Sequence, residues 1–263
     1  MATHRPRKRF GQHFLTDKRV LTKLVEAIAP KQDETLVEIG PGKGALTAPL
    51  VERVDHMHAV EIDRDLVLSL RKRYPPDRLT VHCADALDFD FAMLGNALRI
   101  VGNLPYNIST EVLFRLTAFA PKIRDVCVML QKEVVDRIVA NPSSKDYGRL
   151  SVMLQHRFRA SRLFLVPADA FSPRPRVESA VVALIPRTDS AEVNDAAFAR
   201  VVTAAFCQRR KKVANALAAY LGETDLRQLG IDPAARAENL SGGDFARIAN
   251  LVSPSTTLRT GDR

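Results

Sequence analysis

Cysteine is scarce in this chain: Cys83, Cys127 and Cys207 are the only three in 263 residues. They are scattered and lack C-x-x-C spacing, so they support neither a disulfide framework nor a zinc site and read as packed thiols. Long apolar runs are missing too. No stretch approaches the roughly 18 uninterrupted apolar residues of a membrane span, so no membrane partner is expected. The opening residues have no apolar signal-peptide core, and their Arg-rich, acid-poor character reads as a basic arm on a cytoplasmic protein. Internal repeats and long low-complexity segments are also absent. Acidic residues are in deficit, 30 against 39 basic ones, which leaves a net charge of +9. That excess points to a polyanionic partner, although it says nothing about fold. With 46% hydrophobic and 26% charged residues the chain otherwise has an ordinary globular composition.

What is present has a regular order. Arg5 to Leu15 combines basic residues with Phe10 and Phe14, and Thr16 or Asp17 can then cap a helix running through Ala29. A buried strand, Thr35 to Ile39, enters Glu38-Ile39-Gly40-Pro41-Gly42-Lys43-Gly44, and a helix follows. This E-x-G-x-G-x-G loop has neither the G-K-[ST] ending of a P-loop nor the G-x-G-x-x-G spacing of dinucleotide binders, yet it lets a ligand approach the backbone. A second strand, His56 to Ile62, carries Glu61 about 20 residues beyond the loop, where a ribose-binding carboxylate belongs in such an architecture. A third, Leu79 to Cys83, leads to Asp85. Asp63 and Asp88 read as solvated or capping residues, and His56, His58 and His82 as structural, having no metal-ligand pattern around them.

A fourth strand over Leu98-Arg99-Ile100-Val101 runs into Gly102-Asn103-Leu104-Pro105-Tyr106, and a helix follows from Glu111. Asp125 to Gln131 makes a fifth strand, Glu133 to Ala140 a helix, and helical spacing continues to about Arg157. Leu163 to Val166 and Ser179 to Ile185 are two more apolar runs, joined through Phe171-Ser172-Pro173-Arg174-Pro175-Arg176. Seven strand-like runs alternating with helices predict an α/β fold with a mainly parallel sheet. From about Ala191 the period is purely helical, with Phe198, Val201, Val202, Ala205 and Phe206 on one face. Arg209, Arg210, Lys211 and Lys212 follow, read with Arg174, Arg176 and the basic arm as a phosphate-contacting, RNA-binding surface. Ser241 can cap a last short helix, and the chain beyond Pro254 reads as disordered. The expected domains are 1-188, with the sheet, and 189-263, helical.

Asn103-Leu104-Pro105-Tyr106 sits at a strand's carboxyl end, the edge where open α/β sheets bind ligands. The Asn103 amide oxygen and a main-chain carbonyl beside Pro105 can both accept hydrogen bonds, Pro105 fixes φ, and Tyr106 offers an aromatic face. Two acceptors and a stacking plane suit an exocyclic amine on a planar base. Acceptors that hold both of its hydrogens favour a pyramidal nitrogen able to attack an electrophilic methyl group. A proline-bearing turn would carry the same four letters, so the rest of the chain has to decide.

Taken together, these features resemble the S-adenosylmethionine-dependent adenine-N6 methyltransferases. More closely, F-G-Q-H-F-L at Phe10 to Leu15, V-E-I-G-P-G-K-G, G-N-L-P-Y-N-I-S-T, M-L-Q-K-E-V, Y-G-R-L-S-V, F-x-P-x-P, Q-R-R-K-K and I-D-P-x-x-R-A-E-N-L resemble the KsgA/RsmA dimethyladenosine transferase family, from Arg9 to about Leu251. The resemblance implies a Rossmann-like, seven-stranded methyltransferase domain with a small C-terminal helical domain. It implies dimethylation of N6 on two adjacent adenosines in the 3′-terminal hairpin of 16S rRNA, within the assembling small ribosomal subunit. S-adenosylmethionine would be the co-substrate, without a metal. Gln12, His13 and Leu15 would close over it, Gly40 would line its methionine end, Glu61 would bind the ribose hydroxyls, Asp85 the adenine, and Asn103 would border both substrates. Tyr106 and Phe171 would sandwich the flipped target base. This chain has His13 where relatives often carry Asn, and Lys43 at a variable loop position. No strong general base is needed, and the absence of a Pro-Cys motif speaks against C5-methylation of pyrimidines. A relative acting on 23S rRNA, and a mainly non-catalytic assembly factor, remain as alternatives. Nothing in the chain demands more than a monomer.

Overall fold

The computed structural model describes residues 13–208 and 210–253. Gln12, Arg209 and the segment beyond Ser253 lie outside them. The chain divides into two compact units, one reaching Val139 and including Arg157–Arg187, the other made of Ala140–His156 and the chain from Thr188.

The first unit begins with β1 (Phe14–Leu15) and α1 (Lys18–Ile28). Asp17 is the cap, accepting from the Arg19 and Val20 amides, and Leu24, Val25 and Ile28 are buried. The strands β2 (Leu36–Ile39), β3 (Met57–Glu61), β4 (Leu79–Cys83), β5 (Leu98–Asn103) and β6 (Ile123–Gln131) pair in parallel. Every residue of β2 is buried, as befits a central strand covered on both faces. The helices α2 (Thr47–Val51), α3 (Arg64–Arg73), α4 (Ser109–Thr117) and α5 (Lys132–Ile138) connect or follow these strands. After β7 (Phe158–Val166) and β8 (Phe171–Ser172), β9 (Ser179–Pro186) inserts antiparallel between β6 and β7. The sheet order is β4-β3-β2-β5-β6-β9-β7, and β1 pairs separately with β8. The chain winds outward from β2 to β4 and then resumes on the other side at β5. This Rossmann-like sheet therefore has its topological switch point between β2 and β5, where both strands end in loops that the sequence singled out.

Two sequence expectations need correction. The strand expected over Leu163 to Val166, β7, begins at Phe158. Its first half is an edge on which Arg159, Ser161 and Arg162 are exposed, so no apolar run marks it, and a register shift falls between Arg162 and Phe164. The segment 140–156, expected within the first domain, groups with the second unit. Tyr147 explains this: it is 1% exposed, joins the second core, and donates its hydroxyl to the Leu240 carbonyl at 2.9 Å. The Ser143 amide likewise donates to the Glu238 carbonyl at 2.7 Å.

That second core gathers Val152 from α6 (Arg149–Arg157) with Phe198, Val201 and Val202 from α7 (Asp195–Cys207). Val213 of α8 (Val213–Ala216), Leu226 of α9 (Glu223–Gln228), and Phe245 and Ile248 of α10 (Gly242–Val252) complete it. Ser241 and Asp244 cap α10 reciprocally.

His58 on β3 and His82 on β4, with His56 just before β3, serve the sheet. His58 Nδ1 and His82 Nε2 lie 3.2 Å apart, and His56 Nε2 is 2.9 Å from Thr80 Oγ1. Burial, then the neighbouring His56 and His82, depress the His58 pKa to about 4, so it stays neutral. Asp63 is buried rather than solvated and caps α3 by accepting from the Asp65 amide.

Candidate active site

The loops at the β2 and β5 carboxyl ends, together with those after β3 and β4, surround one cavity. Its walls include His13, Leu15, Glu38, Gly40, Glu61, Asp85, Asn103 and Tyr106. The residues selected from separate motifs therefore meet in one place, with the exceptions given below.

Gly40 turns the chain out of β2 at φ +69°, a conformation that favours glycine, and its amide donates to the Val60 carbonyl at 2.9 Å. Glu61 ends β3 with both carboxylate oxygens engaged, Oε2 by the Gly42 amide at 3.1 Å and Oε1 by the Asp63 amide at 2.9 Å. These bonds fix the carboxylate while leaving lone pairs for a diol. Burial raises its pKa, against the backbone donors that lower it. Asp85 is half-buried, and its Oδ1 accepts from the Leu87 amide at 2.9 Å.

Glu38 belongs to the glycine motif but was given no role from sequence. It is 1% exposed, and its Oε2 accepts the Thr47 hydroxyl at 2.6 Å. Burial raises its pKa to about 7, the Thr47 hydrogen bond opposing and the Glu61 charge adding. A carboxyl whose folded pKa is raised contributes stability that is fully present below about 4.5 and is lost as pH rises through about 7. The stability advantage of wild type over Glu38→Gln is therefore expected to shrink by on the order of 3 kcal/mol between pH 4.5 and 8. Thermal melts of the two proteins across that range check this.

At the end of β5, Gly102 precedes Asn103. A Cβ on Gly102 would lie 2.4 Å from the Ile39 carbonyl oxygen of β2, at φ +156°. Only glycine lets the two strands close at the switch point. Gly102→Ala is expected to cost about 3 kcal/mol through that backbone overlap, measurable as a lower urea midpoint.

The Asn103 Nδ2 donates to the His13 carbonyl at 2.9 Å, which leaves Oδ1 as an acceptor. Leu104 is buried at 1%, and its amide donates to the Met129 carbonyl at 3.1 Å, tying the loop to β6. Pro105 packs over Gly40, its Cδ 3.7 Å from where a Cβ would stand there. The Tyr106 hydroxyl lies 2.6 Å from Ser179 Oγ, and burial raises its pKa.

The segment from His13 to Asp17 is latched beside this loop. Its main chain pairs with β8, and the Thr16 and Asp17 amides both donate to the Ala170 carbonyl, at 2.8 and 3.2 Å. The His13 ring stacks on Tyr106 with centroids 5.4 Å apart, and Nδ1 donates to the Pro173 carbonyl at 2.8 Å. Lys43 lies over the Phe14 ring at 4.6 Å.

Phe171 is placed differently from the sequence expectation. It is 4% exposed, sits opposite Leu15 in the β1–β8 ribbon, belongs to the first core, and is absent from the cavity wall. In the second unit Arg210, Lys211 and Lys212 are exposed, and Lys212 bridges antiparallel to Arg236. Among the described residues no group of three or more His, Cys, Asp or Glu is arranged to hold a metal ion, and no helix is long and apolar enough to cross a membrane.

Comparison with known proteins bears on the family and the fold. The chain is 58% identical over 252 residues to ribosomal RNA small subunit methyltransferase A of Thiobacillus denitrificans, covering 95% of this chain and 99% of that protein. It is 55% identical to the protein of the same name from Aromatoleum aromaticum, covering 96% of each. The crystal structure of a dimethyladenosine transferase from Plasmodium falciparum superposes with a TM-score of 0.78 at 25% identity, over 90% of this chain and 96% of that one. The 23S rRNA methyltransferase ErmE shares the fold, with a TM-score of 0.69 at 24% identity over 91% and 99% of the two chains. The family model for ribosomal RNA adenine dimethylases matches residues 3–253, and the chain belongs to that family.

Proposed function

We propose that the protein dimethylates N6 of two adjacent adenosines in the 3′-terminal hairpin of 16S rRNA, using S-adenosylmethionine, on the assembling small ribosomal subunit. The observation that carries this reading is the convergence of Asn103, Tyr106, Glu61 and Asp85 on one cavity, in a chain 58% identical to a small-subunit methyltransferase.

The donor set suits the cofactor. Glu61, its carboxylate fixed by two amides, accepts from the ribose hydroxyls, and Asp85 accepts from the amino group of the cofactor adenine. Gly40 leaves room for the methionine end, while His13 and Leu15, with Gln12, close over it. When bound, S-adenosylmethionine supplies an electrophilic methyl group on a sulfonium. The chain's own residues prepare the acceptor. In the first transfer Asn103 Oδ1 and the Leu104 carbonyl take the two hydrogens of the target amine, in the second one of them takes the single hydrogen that remains, and in both the lone pair is drawn out of conjugation with the ring. Pro105 holds that carbonyl in place, and Tyr106 stacks on the extruded base. After transfer the amine is more acidic, and its proton leaves to water without a dedicated base.

Arg209, Arg210, Lys211 and Lys212 contact rRNA phosphates, and the protein acts as a cytoplasmic monomer. The test of substrate choice is competition. Unmethylated small subunits, naked 16S rRNA and large subunits are offered with labelled S-adenosylmethionine, and label is expected in the small subunits. Label in large-subunit RNA would reject this reading in favour of the 23S type.

A further inference from the structure

We propose that Ser179 is a positioning residue for the target base, its buried hydroxyl holding the Tyr106 ring in the orientation on which that base stacks. The inference rests on the reading of Tyr106 given above and adds to it a residue that no motif reading selected.

The first observation is geometric. Ser179 is 0% exposed, and its Oγ lies 2.6 Å from the Tyr106 hydroxyl across 73 residues of sequence. A buried hydroxyl costs stability unless it is hydrogen bonded. The next residues of β9, Ala180, Val181 and Val182, are apolar and fully buried, so packing alone would be served by a small apolar residue at 179. The polar choice has its use in Tyr106.

Topology explains how so distant a residue reaches the site. Because β9 runs antiparallel to β6, it begins at the sheet edge where the parallel strands end. Ser179 sits opposite Gln131, the last residue of β6, while Met129 of β6 pairs with Asn103 of β5. The start of β9 and the loop after β5 are thereby brought to one edge.

The second observation is that the same stretch fixes the ring from another side. The His13 ring stacks against Tyr106 at an interplanar angle of 27°, and Nδ1 of that histidine donates to the Pro173 carbonyl. Phe171, buried opposite Leu15, anchors the beginning of the stretch in the core. Residues 171–179 therefore act as a bracket: Phe171 roots it, Pro173 fixes His13, and Ser179 fixes Tyr106. This gives the F-x-P-x-P region a part in catalysis through Tyr106, with Phe171 remaining in the core.

A ring released from Ser179 still offers a stacking face but samples more orientations, which lowers the fraction of bound bases aligned for attack. Ser179→Ala is expected to reduce kcat on unmethylated small subunits about tenfold while leaving KM for the subunit and cofactor Kd close to wild type; Tm should fall by a few degrees, because the Tyr106 hydroxyl loses its partner, and should recover in part when Tyr106→Phe is added. Tyr106→Phe removes the same hydrogen bond and is expected to match it. The Ser179→Ala/Tyr106→Phe double variant should be no slower than either single one. Tyr106→Ala, which removes the ring, should lose about a hundredfold.

If Tyr106→Ala keeps full turnover, the stacking role fails and takes the inference with it. If Tyr106→Ala is impaired while Ser179→Ala or Tyr106→Phe works at the wild-type rate, Tyr106 retains its role and Ser179 loses the one proposed. Additive losses in the double variant would equally overturn the inference. So would a fall in cofactor affinity for Ser179→Ala matching the fall in kcat, since that is a general effect on the site.

Discussion

Asn103→Ala is expected to lower methyl transfer to small subunits by about three orders of magnitude with the fold retained. Two losses combine. The Oδ1 acceptor proposed to hold one hydrogen of the target amine disappears, and removing a single preorganised group of this kind costs about 10²–10³ in rate. The Nδ2 donor to the His13 carbonyl at 2.9 Å disappears as well, so the segment beside the cofactor cavity loses one of its anchors. The remaining anchors, the Thr16 and Asp17 amides on Ala170 and the His13 ring on Pro173, do not involve Asn103. Cofactor affinity should therefore fall only a few-fold while single-turnover rate collapses. Isothermal titration for the first quantity and a quench assay for the second separate the two losses. Equal declines in both would mean that Asn103 serves cofactor binding alone.

At the opposite end of the same strand, Arg99→Met is expected to cost about 3–5 kcal/mol. Arg99 is 8% exposed and bonded all round. Nε reaches both Asp125 oxygens at 3.0 and 3.1 Å, Nη1 reaches Glu34 at 2.5 Å, and Nη2 reaches the Ile28 carbonyl at 2.6 Å. A further bond to the Ala29 carbonyl at 3.3 Å means that the guanidinium also closes the C-terminal end of α1. Burial pushes Glu34 up, but the Lys31 amide and the Arg99 and Arg124 guanidinium groups outweigh it and hold its carboxyl below the ordinary value. Without Arg99, both Asp125 and a nearly buried Glu34 lose their main counter-charge. Urea midpoints should show the loss at pH 7. The penalty should diminish toward pH 4, where Glu34 in the variant takes up a proton more readily than in the wild type, whose depressed pKa resists it. A penalty unchanged by pH would assign the effect to packing.

The extent to which this architecture could be read in advance follows from where each signal resides. The central strands β2 and β5 are buried on both faces and show as largely apolar runs, and the carboxylates after β3 and β4 are visible because a parallel α/β sheet places such residues at one edge. The first half of β7 is hidden because an edge strand facing solvent carries Arg159 and Arg162 where a central strand would carry valine. The β1–β8 ribbon is hidden because two-residue strands have no periodicity. Tyr147 and Val152 have the helical and apolar character expected of either unit, so only their packing partners assign 140–156 to the second. The site shows the same division. Asn103, Glu61 and Asp85 are legible because each stands at the end of a recognisable strand. Ser179 is not, because its importance depends on β9 running antiparallel. Phe171 shows a related limit: an aromatic beside a proline-rich loop suggests a base platform, while its burial opposite Leu15 depends on a pairing that no periodicity marks.

The most direct test of the central claim is nucleoside analysis of small subunits lacking these modifications after incubation with the protein and labelled S-adenosylmethionine. The account predicts N6,N6-dimethyladenosine on two adjacent adenosines of the 3′-terminal hairpin of 16S rRNA, and none with Asn103→Ala. Subunits that bind the protein yet contain no methylated adenosine, or label recovered on any other base, would contradict it.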